Sequence, residues 1–145
     1  FASLVDAWGG QVATFDRVLG GHDAQEVQCL GMLQAHANVT FYPADILAEP
    51  HPDVLGLLRD GPRPLWLYCD NGNKPRELAL YAPAVPVGSF CGVHDYGTEV
   101  VPAEAEALMA HLGFAPWRHD AFAALANVWY PHSLTRLWRR EEARA

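Results

Sequence analysis

Residues 64–96 read PLWLYCDNGNKPRELALYAPAVPVGSFCGVHDY, and this stretch decides the fold. Pro64 to Cys69 is a continuous apolar run that stops at Asp70, the pattern of a strand buried on both faces. Lys74 to Ala82 predicts a helix, with Pro75 tolerated in its first turn. Val87 to Val93 then leads through a second apolar run into His94-Asp95. Strand, helix, strand in this order predicts two parallel strands joined by a crossover, because a short turn can only connect antiparallel ones.

The same alternation extends outward. Phe1 to Trp8 predicts the tail of an amphipathic helix, closed by Gly9-Gly10. Gln11 to Phe15 is a short apolar strand ending at Asp16, and Asn38 to Tyr42 is another, followed three residues later by Asp45. Between them, Val27, Leu30 and Leu33 recur at helical spacing within Ala24 to His36. Pro52 to Arg59 predicts a helix stopped by Asp60-Gly61-Pro62. Ala103 to Leu112 predicts one more, started by Pro102 and ended by Gly113. The tail is aromatic and lacks helical period. Of Phe114 to His119, Asn127 to Tyr130 and Ser133 to Trp138, two are expected to be antiparallel strands joined by a turn at Pro131-His132. The whole predicts an α/β protein with a mostly parallel sheet and helices on both faces.

Such a sheet carries its ligands at the carboxyl edge of its strands. Asp16, Asp45, Asp70 and the His94-Asp95 pair each follow a predicted strand, so all five residues are expected at one crevice. A single Asp there is equally an ordinary cap or turn residue. The weight rests on the succession of them.

Composition narrows the partners. A net charge of −7 argues against a nucleic-acid backbone, which needs a basic face. The basic residues bunch at the end, as Arg136, Arg139, Arg140 and Arg144, and read as a solvated helix or strand. Cys29, Cys69 and Cys91 form no CxxC pair and read as small core residues in a reducing, cytoplasmic setting. No run reaches the ~18 apolar residues of a membrane span. The tryptophans read as core, Asn71 and Asn73 as turn residues, and Lys74 and Arg76 as solvated groups or contacts to an anionic substrate.

On these residues a resemblance rests. Leu67 to Glu99, LYCDNGNKPRELALYAPAVPVGSFCGVHDYGTE, resembles the fourth and fifth strands of class I S-adenosylmethionine-dependent methyltransferases. The closest likeness is to the branch of macrocin-type and rhamnosyl O-methyltransferases and cephalosporin-hydroxylase-like proteins. The acidic loop is Asp70-Asn71-Gly72-Asn73-Lys74, the proline-glycine turn is Pro86-Val87-Gly88, and the second strand ends His94-Asp95-Tyr96.

The resemblance implies a three-layer Rossmann-like fold with a C-terminal antiparallel hairpin. It implies methyl transfer to an oxygen of a small molecule or sugar. It assigns Asp16 to the cofactor ribose, Asp45 to the adenine and Asp70 to the cofactor site, and it leaves Tyr96 near an acceptor pocket. The family's first strand and glycine-rich loop have no counterpart in the sequence, so 1–145 is expected to be one methyltransferase-like domain that lacks them. A non-catalytic nucleotide-type binding module with a degenerate site is the alternative, and an unrelated doubly wound oxidoreductase a weaker one. The expected partner is a small-molecule substrate, with no nucleic acid and no membrane; oligomeric state is not legible.

The catalytic candidates are Asp70, His94 and Asp95. Two carboxylates on neighbouring strands ~4.8 Å apart repel one another. A divalent ion such as Mg²⁺ is the expected remedy, held by Asp70 and Asp95 with His94 as third ligand or as a base. His94 and Asp95 point to opposite faces of an extended strand. Both can meet one partner only if the chain turns there, which Tyr96-Gly97 permits.

Overall fold

The computed structural model describes residues 9–16, 31, 32, 34–117 and 134–142. The protein is α/β, and its chain divides into two compact units, Phe1–Ala48 and Glu49–Ala145. Among the described residues no helix is long and apolar enough to cross a membrane.

In the first unit, β1 (Val12–Asp16) and β2 (Val39–Pro43) form a parallel pair, in register from Val12↔Val39 to Asp16↔Pro43. Phe15 and Tyr42 stack across it with ring centroids 4.5 Å apart, a cross-strand contact that fixes the pairing. Asp16 is the last residue of β1. Asp45 lies just beyond β2, where its Oδ1 accepts the Leu47 N–H at 3.0 Å. Both acids therefore sit at the carboxyl end of this pair. The expected helix over Phe1 to Trp8 lies outside the described residues, as does most of that over Ala24 to His36, of which Gly31, Met32 and Gln34 are helical. Cys29 also lies outside them.

The second unit holds a four-stranded sheet of β3 (Trp66–Cys69), β4 (Phe90–Tyr96), β5 (Phe114–Pro116) and β6 (Leu134–Arg140), in the order β3-β4-β6-β5. β3 and β4 are parallel, as the 64–96 stretch predicts. β6 is antiparallel to both β4 and β5, so the other three strands share one direction. The expected turn at Pro131-His132 and the Asn127 to Tyr130 run lie outside the described residues.

Among its described residues the unit also has three α-helices: α1 (Pro52–Asp60), α2 (Lys74–Tyr81) and α3 (Pro102–His111). Each has proline in its first turn, where no N–H is needed. The Nδ1 of His51 caps α1, Asn73 caps α2 by accepting the Arg76 N–H, and Gly113 at φ 79° closes α3. The core includes Leu78 and Tyr81 of α2, Met109 of α3 and Cys91, Leu137 and Trp138 of the sheet, all of them buried.

Three expectations need correction. Among the described residues β1 pairs with β2 and β3 with β4, in separate sheets. Alternation of strand and helix dictates strand direction, not which strands are neighbours. The PLWLYC run is not buried on both faces. β3 is the edge of its sheet, and Trp66 and Tyr68 are 44% and 41% exposed while Cys69 is fully buried. Finally, Arg136 is not a solvated charge but is 6% exposed, on β6.

Gly92 of β4 marks a close approach. A Cβ there would lie 2.6 Å from Leu137 Cδ2 and 3.0 Å from both Trp66 and Tyr68. Gly92→Ala is expected to lower unfolding free energy by about 1–3 kcal/mol through overpacking. Chemical denaturation would measure it, and an unchanged midpoint would show that the aromatic pair swings aside freely.

Candidate functional site

The site is built by the carboxyl ends of the parallel pair β3 and β4. Asp70 is the first residue after β3. The loop that follows is secured by Glu77, a buried carboxylate on α2 that accepts the Asn71 backbone N–H and the Asn71 side-chain amide, each at 3.2 Å. Burial raises the Glu77 pKa, against the lowering effect of these two bonds. Asn71 and Asn73 thus do local structural work, as turn and cap residues should.

β4 ends in a bulge. Val93 pairs with Arg136 and Tyr96 with Leu134, so His94 and Asp95 together oppose the single residue Thr135. Asp95 adopts φ 55°, a left-handed conformation that Asp tolerates better than most residues. Its carbonyl accepts the backbone N–H groups of Thr98, Glu99 and Val100 and the Thr98 hydroxyl. The chain therefore does turn at this pair, and the turn falls on Asp95 itself. A bulge re-aims side chains, and here it brings His94 and Asp95, which an extended strand would separate, to one point.

At that point, His94 Nδ1 lies 3.2 Å from Asp70 Oδ1 and 3.2 Å from Asp95 Oδ2. One ligand atom from each of Asp70, His94 and Asp95 lies within 4.8 Å of the others. The structure thus brings together the three expected catalytic residues. Asp16 and Asp45 sit at the carboxyl end of the other parallel pair, in the first unit.

The unexpected member is Lys74. It is the first residue of α2, its side chain is 6% exposed, and its Nζ reaches Glu99 Oε2 at 2.8 Å, Asp95 Oδ2 at 3.1 Å and Asp70 Oδ1 at 3.7 Å. Burial alone would lower its pKa; hydrogen bonds to Glu99 and Asp95, with their charges, outweigh it and leave the pKa raised. This ammonium is neither solvated nor available to an anionic substrate. No local pattern in the sequence signalled it, because Asp70 precedes the helix that Lys74 begins. Glu99 had no signal either, because only the tight 95–100 turn brings it back.

Tyr96 is tied into a hydrogen-bonded cluster beside the site. Its hydroxyl donates to Glu106 Oε1 at 2.8 Å, and burial together with that carboxylate pushes its pKa up to about 12. Glu106, on α3, also accepts from Arg136 Nε at 2.7 Å and from Trp138 Nε1 at 3.1 Å. This cluster ties the end of β4 to α3 and β6 directly beside the site. Two shallow clefts of about 500 and 460 Å³ lie elsewhere; one adjoins Val87 and Phe114, the other Leu58 and Pro86, and neither includes Asp70, His94 or Asp95.

A divalent ion fits this donor set poorly. Two carboxylate oxygens and an imidazole nitrogen are in reach of one another, but the charge such an ion would neutralise is already opposed by Lys74. Compared with known proteins, the chain matches no family model and no curated sequence.

Proposed function

We infer that the protein is a class I methyltransferase-like enzyme that transfers a methyl group from S-adenosylmethionine to an oxygen of a small molecule or sugar. The observation that carries this reading is the convergence of Asp70, His94 and Asp95 at the adjoining carboxyl ends of two parallel strands. These residues lie within the Leu67 to Glu99 segment on which the resemblance rests. β6 lies antiparallel beside β5, and the hairpin that the family calls for belongs to this reading. A three-layer Rossmann-like arrangement belongs to the same reading.

By the resemblance, Asp70 is the residue of this site that would hold the cofactor, which when bound would supply an electrophilic methyl group. The work of the chain is then positioning and proton removal. The two carboxylates attract a proton onto His94 Nδ1 and so leave Nε2 as the basic nitrogen. Nε2 takes the proton of the acceptor hydroxyl, and Asp70 and Asp95 orient the ring through Nδ1.

The test uses the full-length protein with methyl-labelled S-adenosylmethionine and a panel of sugars and small hydroxylated acceptors. Cofactor binding by calorimetry and label transfer to an acceptor oxygen are expected. Binding without transfer to any acceptor would favour the binding-module alternative, and absence of both would overturn the reading.

A further inference from the structure

We propose that Lys74 is the resident cation of this site, its ammonium standing where a divalent metal ion would otherwise be required. The argument begins with charge. Asp70, Asp95 and Glu99 crowd one point, and like charges held that close repel unless a cation intervenes. Lys74 Nζ lies within 3.7 Å of all three carboxylates. A lysine at the first position of a helix faces the positive end of the macrodipole, where a carboxylate would be favoured instead. Its burial there adds a desolvation cost. Both penalties are met by the three carboxylates, so the ammonium and the acids stabilise one another.

Geometry gives the arrangement a second role. Asp95 Oδ2 is shared: it lies 3.1 Å from Lys74 Nζ and 3.2 Å from His94 Nδ1. Asp70 Oδ1 is shared in the same way, at 3.7 and 3.2 Å. Lys74 therefore holds the two oxygens that orient the imidazole, and it acts on His94 through them. It is a positioning residue. An octahedral Mg²⁺ demands oxygens at about 2.0–2.1 Å and brings its own waters. To bind, it would have to displace a buried ammonium from its three partners.

The inference concerns the same residues as the methyl-transfer reading, but its test reads metal binding, so the two can fail separately. Mn²⁺ binding to the full-length protein at neutral pH would be followed by the loss of the free-ion electron paramagnetic resonance signal and by thermal unfolding. The wild type is expected to bind weakly and to show no metal-dependent rise in Tm. Lys74→Met removes the ammonium and keeps the length of the stem. It is expected to bind Mn²⁺ about tenfold or more tightly than the wild type, with a Tm that rises with metal concentration. Lys74→Arg should behave as the wild type, and adding Asp95→Asn to Lys74→Met should abolish the gain. Lys74→Gln serves if the methionine variant fails to fold by circular dichroism. Wild-type binding as tight as the variant's, no gain in either uncharged variant, or a gain that survives Asp95→Asn would each overturn the proposal.

Discussion

Glu106→Ala is expected to destabilise the second unit by about 3 kcal/mol, the low end of the cost of removing one partner from a buried ion pair. Arg136 is 6% exposed, and among the described residues its Nη1 has no hydrogen-bond partner. Glu106 receives its Nε and Nη2. The guanidinium also lies 5.6 Å from the Tyr96 ring centroid and 5.7 Å from that of Trp138. Truncating Glu106 strands this charge and leaves the Tyr96 hydroxyl and the Trp138 indole N–H without their acceptor. Glu106 itself is a third exposed, which screens the pair and holds the expected cost to the low end. Urea denaturation measures it, and a loss under about 1 kcal/mol would show that water replaces the carboxylate readily.

The same group predicts an acid limb. Burial works to raise the Glu106 pKa, but the bonds from Trp138 and Tyr96 and the charge of Arg136 prevail and lower it. A depressed folded pKa contributes stability that is fully present above the ordinary glutamate value, ~4.3. That contribution is lost as pH falls through the lower folded value. Glu106→Ala should therefore flatten the decline of stability below about pH 4.

His94→Gln is expected to lower kcat/KM for methyl transfer by about 10²- to 10⁴-fold, the usual contribution of a positioned base. Glutamine keeps a polar side chain of similar reach but cannot take a proton from the acceptor. The His94 side chain is 36% exposed, so stability should change by no more than about 0.5 kcal/mol. Cofactor affinity should be unchanged. Asp95→Asn is the companion variant: asparagine tolerates the left-handed backbone at φ 55° and removes only the charge. Equal activity of wild type and His94→Gln across pH would remove the base role.

Periodicity and punctuation made the local elements legible. The helices observed over 52–60, 74–81 and 102–111 were readable, as 52–59, 74–82 and 103–112, from their spacing, from Pro75 and Pro102 at their starts and from the terminating Gly61 and Gly113. The parallel β3–β4 pair followed from a strand, a helix and a strand in succession. That Asp70 and His94-Asp95 share one edge followed in turn, because strands in a parallel pair end on the same side.

Other features were decided only by tertiary structure. Sheet order was one: alternation of elements is satisfied equally by one sheet or by two. The shared aim of His94 and Asp95 was another, since the bulge that produces it depends on β6 pairing two residues against one, some 40 positions along the chain. Arg136 read as a solvated charge because its partner, Glu106, lies 30 residues away and no local pattern joins them. The sequence by itself determined which elements form and which polar residues stand at their ends, because both follow from local sterics and hydrophobic period. Tertiary structure alone decided which charges are buried together, and so placed Lys74 rather than open space between the carboxylates, because Coulomb energy and desolvation depend on distance through space and not along the chain.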